Sequence, residues 1–279
     1  MEVNLHPRIN HIIDTYLSKV NQVKPGLIKG FYLYGSIALG DYSLELSDID
    51  FITVTDERLH EEDLVILEGI HQEIERTHKK PNMNGIYLTW SELGKLSDSI
   101  QPFPYYMDGV MHRAGYFELN LVTWYELKHH GIRFVGPEIE QLDLNVDMEL
   151  FYANMHENLN AYWAGWIDRA SRVLSPYSYS AYFRRQDMEW GVLGITRLFY
   201  TFRERKITSK RLAGEYALTV VPERWHKIIQ ESINVRRGVR RSLYVSRMKR
   251  KSDALGYMRY ILEQCNQTIH KQQEEDTRK

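Results

Sequence analysis

The sequence predicts an α/β N-terminal domain with a short mixed sheet, followed by an all-α C-terminal helical bundle. Three observations lead to this. Up to about residue 142, short apolar runs of strand character alternate with amphipathic stretches. From Asp147 onward the apolar residues recur with a helical period of about 3.6 residues and strand-like runs disappear. Pro176 and Pro222 then cut the helical half into separate pieces. We therefore draw the domains as 1–142 and 147–279.

The elements follow in order. Ile9, Ile12, Ile13, Tyr16, Leu17 and Val20 share one helical face, and that helix stops near Pro25-Gly26. Residues 27–34 read as a strand and 36–40 as a short helical turn. Residues 49–55 alternate with period two and form a second strand. Leu64, Leu67, Ile70 and Ile74 mark a helix that closes near Lys79-Lys80-Pro81. Residues 85–90 read as a third strand, and Pro102 and Pro104 mark a loop. A helix over 121–130 stops at Gly131, and a short strand over 132–135 leads into Gly136-Pro137. In the second half, helices are predicted over 148–174, 179–206, 209–220, 223–235 and 252–270. Asp147 and Ser209 stand at N-cap positions, with Leu212 at N3 of the latter helix. The terminal EEDTRK is expected to fray.

Composition narrows the class. Apolar residues make up 43% and charged residues 26%, as in globular proteins. The net charge of −1 provides no global field for nucleic acid or an anionic membrane. A single cysteine, Cys265, rules out an internal disulfide and fits a cytoplasmic setting. Neither a signal peptide nor a membrane span is read from the chain. His71, His78, His129 and His130 lack zinc-ligand spacing, and most are expected at the surface.

The chemistry concentrates between Tyr34 and Thr55. An apolar strand runs into Gly35-Ser36, and eleven residues separate Ser36 from Asp48-Ile49-Asp50. On a strand, residues i and i+2 share a face, so Asp48 and Asp50 project together while Ile49 and Phe51 point inward. Paired carboxylates suit Mg²⁺, which completes its shell with substrate phosphates and water. A Gly-Ser turn supplies backbone N–H groups, a hydroxyl and room for close approach, which suits phosphate. Either feature alone is common at strand ends and turns. Together they describe a nucleoside triphosphate site without a P-loop.

This Gly-Ser…Asp-x-Asp arrangement resembles the nucleotidyltransferase superfamily of DNA polymerase β. Residues 193–200 (LGITRLFY), 206–210 (KITSK) and 215–218 (EYAL) resemble the helical C-terminal domain of the aminoglycoside (3″)(9) adenylyltransferases, and Phe134-Val135-Gly136-Pro137 fits the same group. The resemblance implies Mg²⁺-dependent transfer of AMP from ATP to a hydroxyl of an aminoglycoside-like molecule, releasing pyrophosphate. Antibiotic resistance would be a consequence. It implies Asp48 and Asp50 as metal ligands, and Gly35, Ser36 and Ser47 as contacts to the nucleotide. It also implies Lys210 as a lysine that reaches the phosphates from the second domain.

One position departs from that pattern. Similar enzymes carry a third carboxylate, ligand and general base, where this sequence has Asn84. An amide oxygen coordinates Mg²⁺ but does not take up a proton near pH 7. Glu118 and Asp108 are the alternatives for that role.

For the acceptor, Asp187 stands where similar enzymes carry an acid that contacts the drug, and Trp190 replaces their polar residue. Trp163 and Trp166, spaced i, i+3, read first as core, and Glu189 as a solvated acid. The run 236–251 holds eight basic residues and no acid. It reads as a solvated edge, a phosphate contact or an RNA-binding edge with Tyr244 as a stacking ring. ATP and a small cationic hydroxyl compound are the expected partners; nucleic acid and membrane are not, and a monomer is favoured. Two rival functions stay open: a nucleotidyltransferase acting on a protein or RNA hydroxyl, and a nucleotide-binding protein with weakened catalysis.

Overall fold

The computed structural model describes residues 5–43, 47–172 and 175–277, with the side chains of 181 and 270–277 left outside the description. Residues 44–46 of the spacer, 173–174 of the predicted 148–174 helix and the last two residues of the tail lie outside the described residues. The chain divides into two compact units, Met1–Asp147 and Met148–Lys279.

The first unit is built on a six-stranded mixed sheet. Its elements are α1 (Pro7–Val23), β1 (Gly30–Leu33), α2 (Gly35–Ala38), β2 (Ile49–Thr55), α3 (Glu61–Thr77), β3 (Met83–Thr89), β4 (Phe103–Met107), β5 (Val110–Gly115), α4 (Leu121–His130) and β6 (Ile132–Val135). The strand order is β5-β4-β3-β2-β1-β6. The β2–β3 pair is parallel, crossed over by α3, and its neighbours on both sides are antiparallel. Ile9, Ile12, Ile13, Tyr16 and Val20 of α1 join Leu64, Leu67, Ile70 and Ile74 of α3 in one core with Phe31, Leu33, Ile49, Phe51, Met83 and Tyr87. Phe31 and Leu33, and Ile49 and Phe51, lie two apart and Met83 and Tyr87 four apart, so Tyr32, Asp50 and Asn84 belong to the opposite face.

One prediction needs correcting here. The Pro102–Pro104 stretch is not a loop: it opens the β4–β5 hairpin. Pro104 is accommodated because the β4–β5 register shifts between Phe103 and Tyr105, a bulge at which the missing N–H costs no ladder bond. The turn is Asp108-Gly109, with φ of 49° and 82°, between the paired residues Met107 and Val110. That is the two-residue hairpin for which Asp-Gly is the strongest sequence signal. Among the four histidines read as mostly at the surface, His71 is the buried exception, at 1% exposure. It lies between the rings of Tyr16 and Tyr106, at 4.7 and 4.0 Å, and its Nε2 pairs with the Tyr87 hydroxyl at 2.6 Å.

The second unit is helical: α5 (Met148–Asn158), a π-helical turn (Leu159–Trp163), α6 (Ala164–Ser171), α7 (Pro176–Phe183), α8 (Arg185–Glu204), α9 (Lys210–Val220), a 3₁₀ turn (Glu223–Trp225), α10 (His226–Arg236) and α11 (Arg247–Thr277). The predicted 179–206 helix is two helices, because Arg184 adopts extended backbone between α7 and α8. Pro176 opens α7 at its first turn, where a proline lacks no needed N–H, and the Ser175 hydroxyl accepts from Ser178 N. Ser209 caps α9 by accepting from Leu212 N at 3.2 Å. α11 starts earlier than predicted, with the Ser246 hydroxyl accepting from Lys249 N. α8 is the central helix: Val192, Leu193, Ile195, Phe199 and Phe202 are all at most 2% exposed.

Candidate active site

Strand register brings two of the predicted residues of the first unit together. Asp50 and Asn84 are paired positions of the parallel β2–β3 ladder. Their side chains stand side by side on the face that α1 and α3 leave uncovered. Ile49 between the two aspartates is fully buried, whereas Asp48 keeps 35% of its side chain exposed. The Asn84 oxygen accepts the Asp108 N–H at 3.1 Å, which ties the hairpin turn to this corner of the sheet.

Gly35 is required by geometry. Its φ is +68°, and a Cβ built there would overlap the Asp50 carboxylate. Only glycine combines that backbone with so close an approach. Ser36 follows in α2, partly exposed, and Tyr34 N donates to Asp50 O at 3.1 Å, fixing the turn against β2. Ser47 is buried, and its hydroxyl accepts the Ser43 N–H at 3.1 Å, closing the segment ahead of Asp48. Lys80 Nζ stands 3.7 Å from Asp48 Oδ1, a half-exposed pair that lets the carboxylate exchange partners.

Further acids gather near this corner. The Tyr34 hydroxyl is held well above the usual phenol range, chiefly by burial and then by the carboxylates of Asp50, Glu118 and Glu126. Glu118 carries a φ of +52° and keeps an exposed side chain, whereas Glu126, on the buried side of α4, is 4% exposed. Sequence reasoning did not single out Glu126. An acid between Trp124 and Leu127 on the apolar side of the helix was the available signal. Asp108 is exposed at the hairpin tip.

Asp48, Asp50 and the Asn84 oxygen form a hard oxygen donor set, which suits Mg²⁺. Among the described residues no group of three or more His, Cys, Asp or Glu side chains gathers as a metal cage.

In the second unit, Asp187 and Trp190, one turn apart on α8, line a cleft of about 300 Å³ with Trp166, Pro176, Tyr177 and Ser180. Trp190 packs against Trp163 and Trp166 at ring distances of 5.0 and 6.0 Å. Lys210 Nζ lies 6.0 Å over the Trp190 ring, so three of the predicted residues are neighbours. Trp163 is core, as expected, but Trp166 serves both core and cleft.

Two readings change. Glu189 is buried, 3.8 Å from Arg236, rather than solvated. Tyr244 is buried as well, its hydroxyl donating to Asp253 at 3.0 Å and its ring covered by Lys227, so it offers no stacking face. In the basic run Arg250 is buried and Arg185 binds the backbone carbonyls of Val239, Arg240 and Arg241, while Arg237, Arg240, Arg241, Arg247 and Lys249 stay exposed, as a solvated edge requires.

Comparison with known families matches this division of labour. Residues 13–92 match the nucleotidyltransferase domain, and residues 162–264 match the aminoglycoside adenylyltransferase C-terminal domain. The chain thus carries a nucleotidyltransferase domain followed by a C-terminal domain of the aminoglycoside adenylyltransferase type, the pairing of an aminoglycoside adenylyltransferase-like nucleotidyltransferase. It is accordingly an enzyme of the adenylyltransferase class. Six solved chains match it, among them spectinomycin adenyltransferase AAD(9) from Enterococcus faecialis, solved with ATP and spectinomycin. That structure superposes with a TM-score of 0.65 at 16% identity, covering 92% of this chain and 99% of the other, a likeness of fold. No curated protein matches the sequence. No helix among the described residues is long and apolar enough to cross a membrane.

Proposed function

We propose that this nucleotidyltransferase moves AMP from ATP to a hydroxyl of a small cationic, aminoglycoside-like molecule and releases pyrophosphate, in the cytoplasm and with Mg²⁺. The observation that carries the reading is the corner where Asp50 stands beside Asn84 and against Gly35. Asp48 and Asp50 would hold the metal, with the Asn84 oxygen as a further donor. When bound, Mg²⁺ supplies charge neutralisation of the triphosphate and of the departing pyrophosphate. Ser36 and the Gly35–Ser36 backbone hold the β- and γ-phosphates, Ser47 contacts the nucleotide, and Lys210 is the proposed phosphate-binding lysine. Asp187 and Trp190 receive the acceptor: the carboxylate pairs with an ammonium group, and the ring supplies an apolar face.

In the transfer, the acceptor oxygen bonds to the α-phosphorus, the bridge to the β-phosphate breaks, and pyrophosphate leaves with that electron pair. The hydroxyl proton passes to water or to a nearby carboxylate, since Asn84 cannot accept it. A second reading, nucleotide binding with slow transfer, is favoured by that same amide. General-base assistance is worth about 10²–10⁴ in rate, so its loss slows the reaction without removing electrostatic catalysis.

Calorimetry of Mg²⁺-ATP binding tests the site, and pyrophosphate release across a panel containing spectinomycin and streptomycin tests the reaction. Asp50→Ala should remove metal-dependent ATP binding, and undiminished binding would sink the assignment. Binding without release on any panel member would select the second reading.

A further inference from the structure

Two tryptophans and two glycines interlock behind the cleft of the helical unit. Trp163 and Trp166 lie three residues apart, as do Gly191 and Gly194 on α8, and the pairs meet in reverse order. A Cβ at Gly194 would overlap the Trp163 ring at Cη2 and Cζ2, and a Cβ at Gly191 would stand 3.3 Å from Cη2 of Trp166. Each bare glycine is therefore the notch that seats one indole. Both tryptophans are 6% exposed. The turn that carries Trp163, Leu159–Trp163, is π-helical, a rare backbone found frequently at functional sites.

The notch at Gly194 reaches the cleft through a single ring. Asp187, Trp190 and Gly194 are spaced i, i+3, i+7, so they run along one face of α8. Trp163 lies across this stripe. Its benzo edge fills the notch, and its ring centroid is 5.0 Å from that of Trp190, with the planes tilted by 30°. Trp190 lines the cleft, as does Trp166, 6.0 Å from it. A close-packed interior does not take up an added methyl group in place. A side chain at 194 would drive Trp163 back along the stripe against Trp190, and that wall would move into a space of only about 300 Å³.

We propose that Gly194 is a positioning residue that sets the size of acceptor the cleft admits, acting through Trp163 on the Trp190 wall. The inference rests on reading the cleft as the acceptor site, and it adds the residue that limits how large an acceptor fits.

The test is titration calorimetry on the full chain, without ATP, using tyramine, which carries one ring, and tryptamine, which carries two fused rings. Each brings a single ammonium group to Asp187, so the pair differs in size. Wild type should bind both. Gly194→Ala should weaken tryptamine by about tenfold or more and tyramine by less than about threefold. A general weakening of the fold would not sort the probes by size. Adding Trp163→Phe, which removes the ring edge that the new methyl meets, should bring tryptamine back to within about threefold of wild type. If Gly194→Ala does not fold, Trp163→Phe alone should shift the affinity ratio by about threefold or more toward tryptamine. Equal losses for the two amines, no recovery in the double variant, an unchanged ratio in Trp163→Phe, or no binding of either amine to wild type would each overturn the proposal. Mg²⁺-ATP binding and its dependence on Asp50 are measured in the same samples. Failed amine binding beside intact ATP binding leaves the transferase reading standing; the size order without ATP binding removes that reading and keeps Gly194 as the limit on the cleft.

Discussion

Asp50 and Asn84 occupy paired positions of the parallel β2–β3 ladder, and the Asn84 oxygen also accepts the Asp108 N–H at 3.1 Å. A carboxylate at position 84 would keep that same acceptor. Asn84→Asp should therefore fold normally and raise the single-turnover rate of pyrophosphate release by about 10²–10⁴ if this position serves as general base. A rate that stays level or drops would move proton acceptance to Glu118, Glu126 or Asp108, and the same assay on Glu118→Gln and Glu126→Gln would sort them.

Gly35 holds a left-handed backbone directly under the Asp50 carboxylate. Gly35→Ala forces either the turn or the aspartate to shift. Strain of about 1 kcal/mol or more should lower Tm by about 2–4 °C. Mg²⁺-ATP affinity should fall at least about tenfold, a larger effect than the stability change implies. Calorimetry alongside a melting curve separates the two.

Burial pushes His71 down to about 3 from its ordinary 6.5, so the ring is neutral in the folded protein. A histidine whose folded pKa lies below its unfolded value supports the fold fully above pH 6.5, and that support drains away as pH falls toward 3. At pH 5 the loss is about 2 kcal/mol. Urea unfolding at pH 7 and pH 5 should show a drop of that order. His71→Phe keeps the stack on Tyr106 and should flatten the dependence; an equally steep profile in the variant would assign it to other groups.

Glu231 is 2% exposed and serves three partners: Arg185 at 3.0 Å, the Ser242 hydroxyl at 2.7 Å and Leu243 N at 2.8 Å. Glu231→Gln removes the charge that offsets Arg185 and should cost about 3 kcal/mol. Protease cleavage at the arginines of 237–247 should then quicken, because the segment loses its anchor. Cleavage at the wild-type rate would show that Arg185 alone holds it.

The strand over 49–55 was legible from its apolar and β-branched residues, but burial on both faces leaves only Asp50 partly exposed, and Asp48 stands one residue ahead of the strand. Helical stretches over α1, α3 and α9 were legible from their own apolar period. The β4–β5 hairpin was missed because Pro104 was weighed and Asp108-Gly109 was not; a bulge absorbed the proline. The burial of His71 was not legible, because a polar residue on an apolar helix face looks like a boundary until its stacking partners, distant in sequence, are known. The acids around Tyr34 come from three separate segments, and no local pattern joins them. Trp190 was singled out, but its contact with Lys210 depends on the packing of two helices, which sequence spacing does not encode.

The parallel β2–β3 pair also limits how this protein can change over generations. Its side chains can drift, since most positions ask only for an apolar residue of suitable size. Its length cannot. Adding or removing one residue between Asp50 and Thr55 would turn part of the strand over, exchanging its buried face for its outward one and breaking the match with β3. Relatives should therefore vary freely in the spacer before Ser47 while keeping the count of residues through β2 fixed.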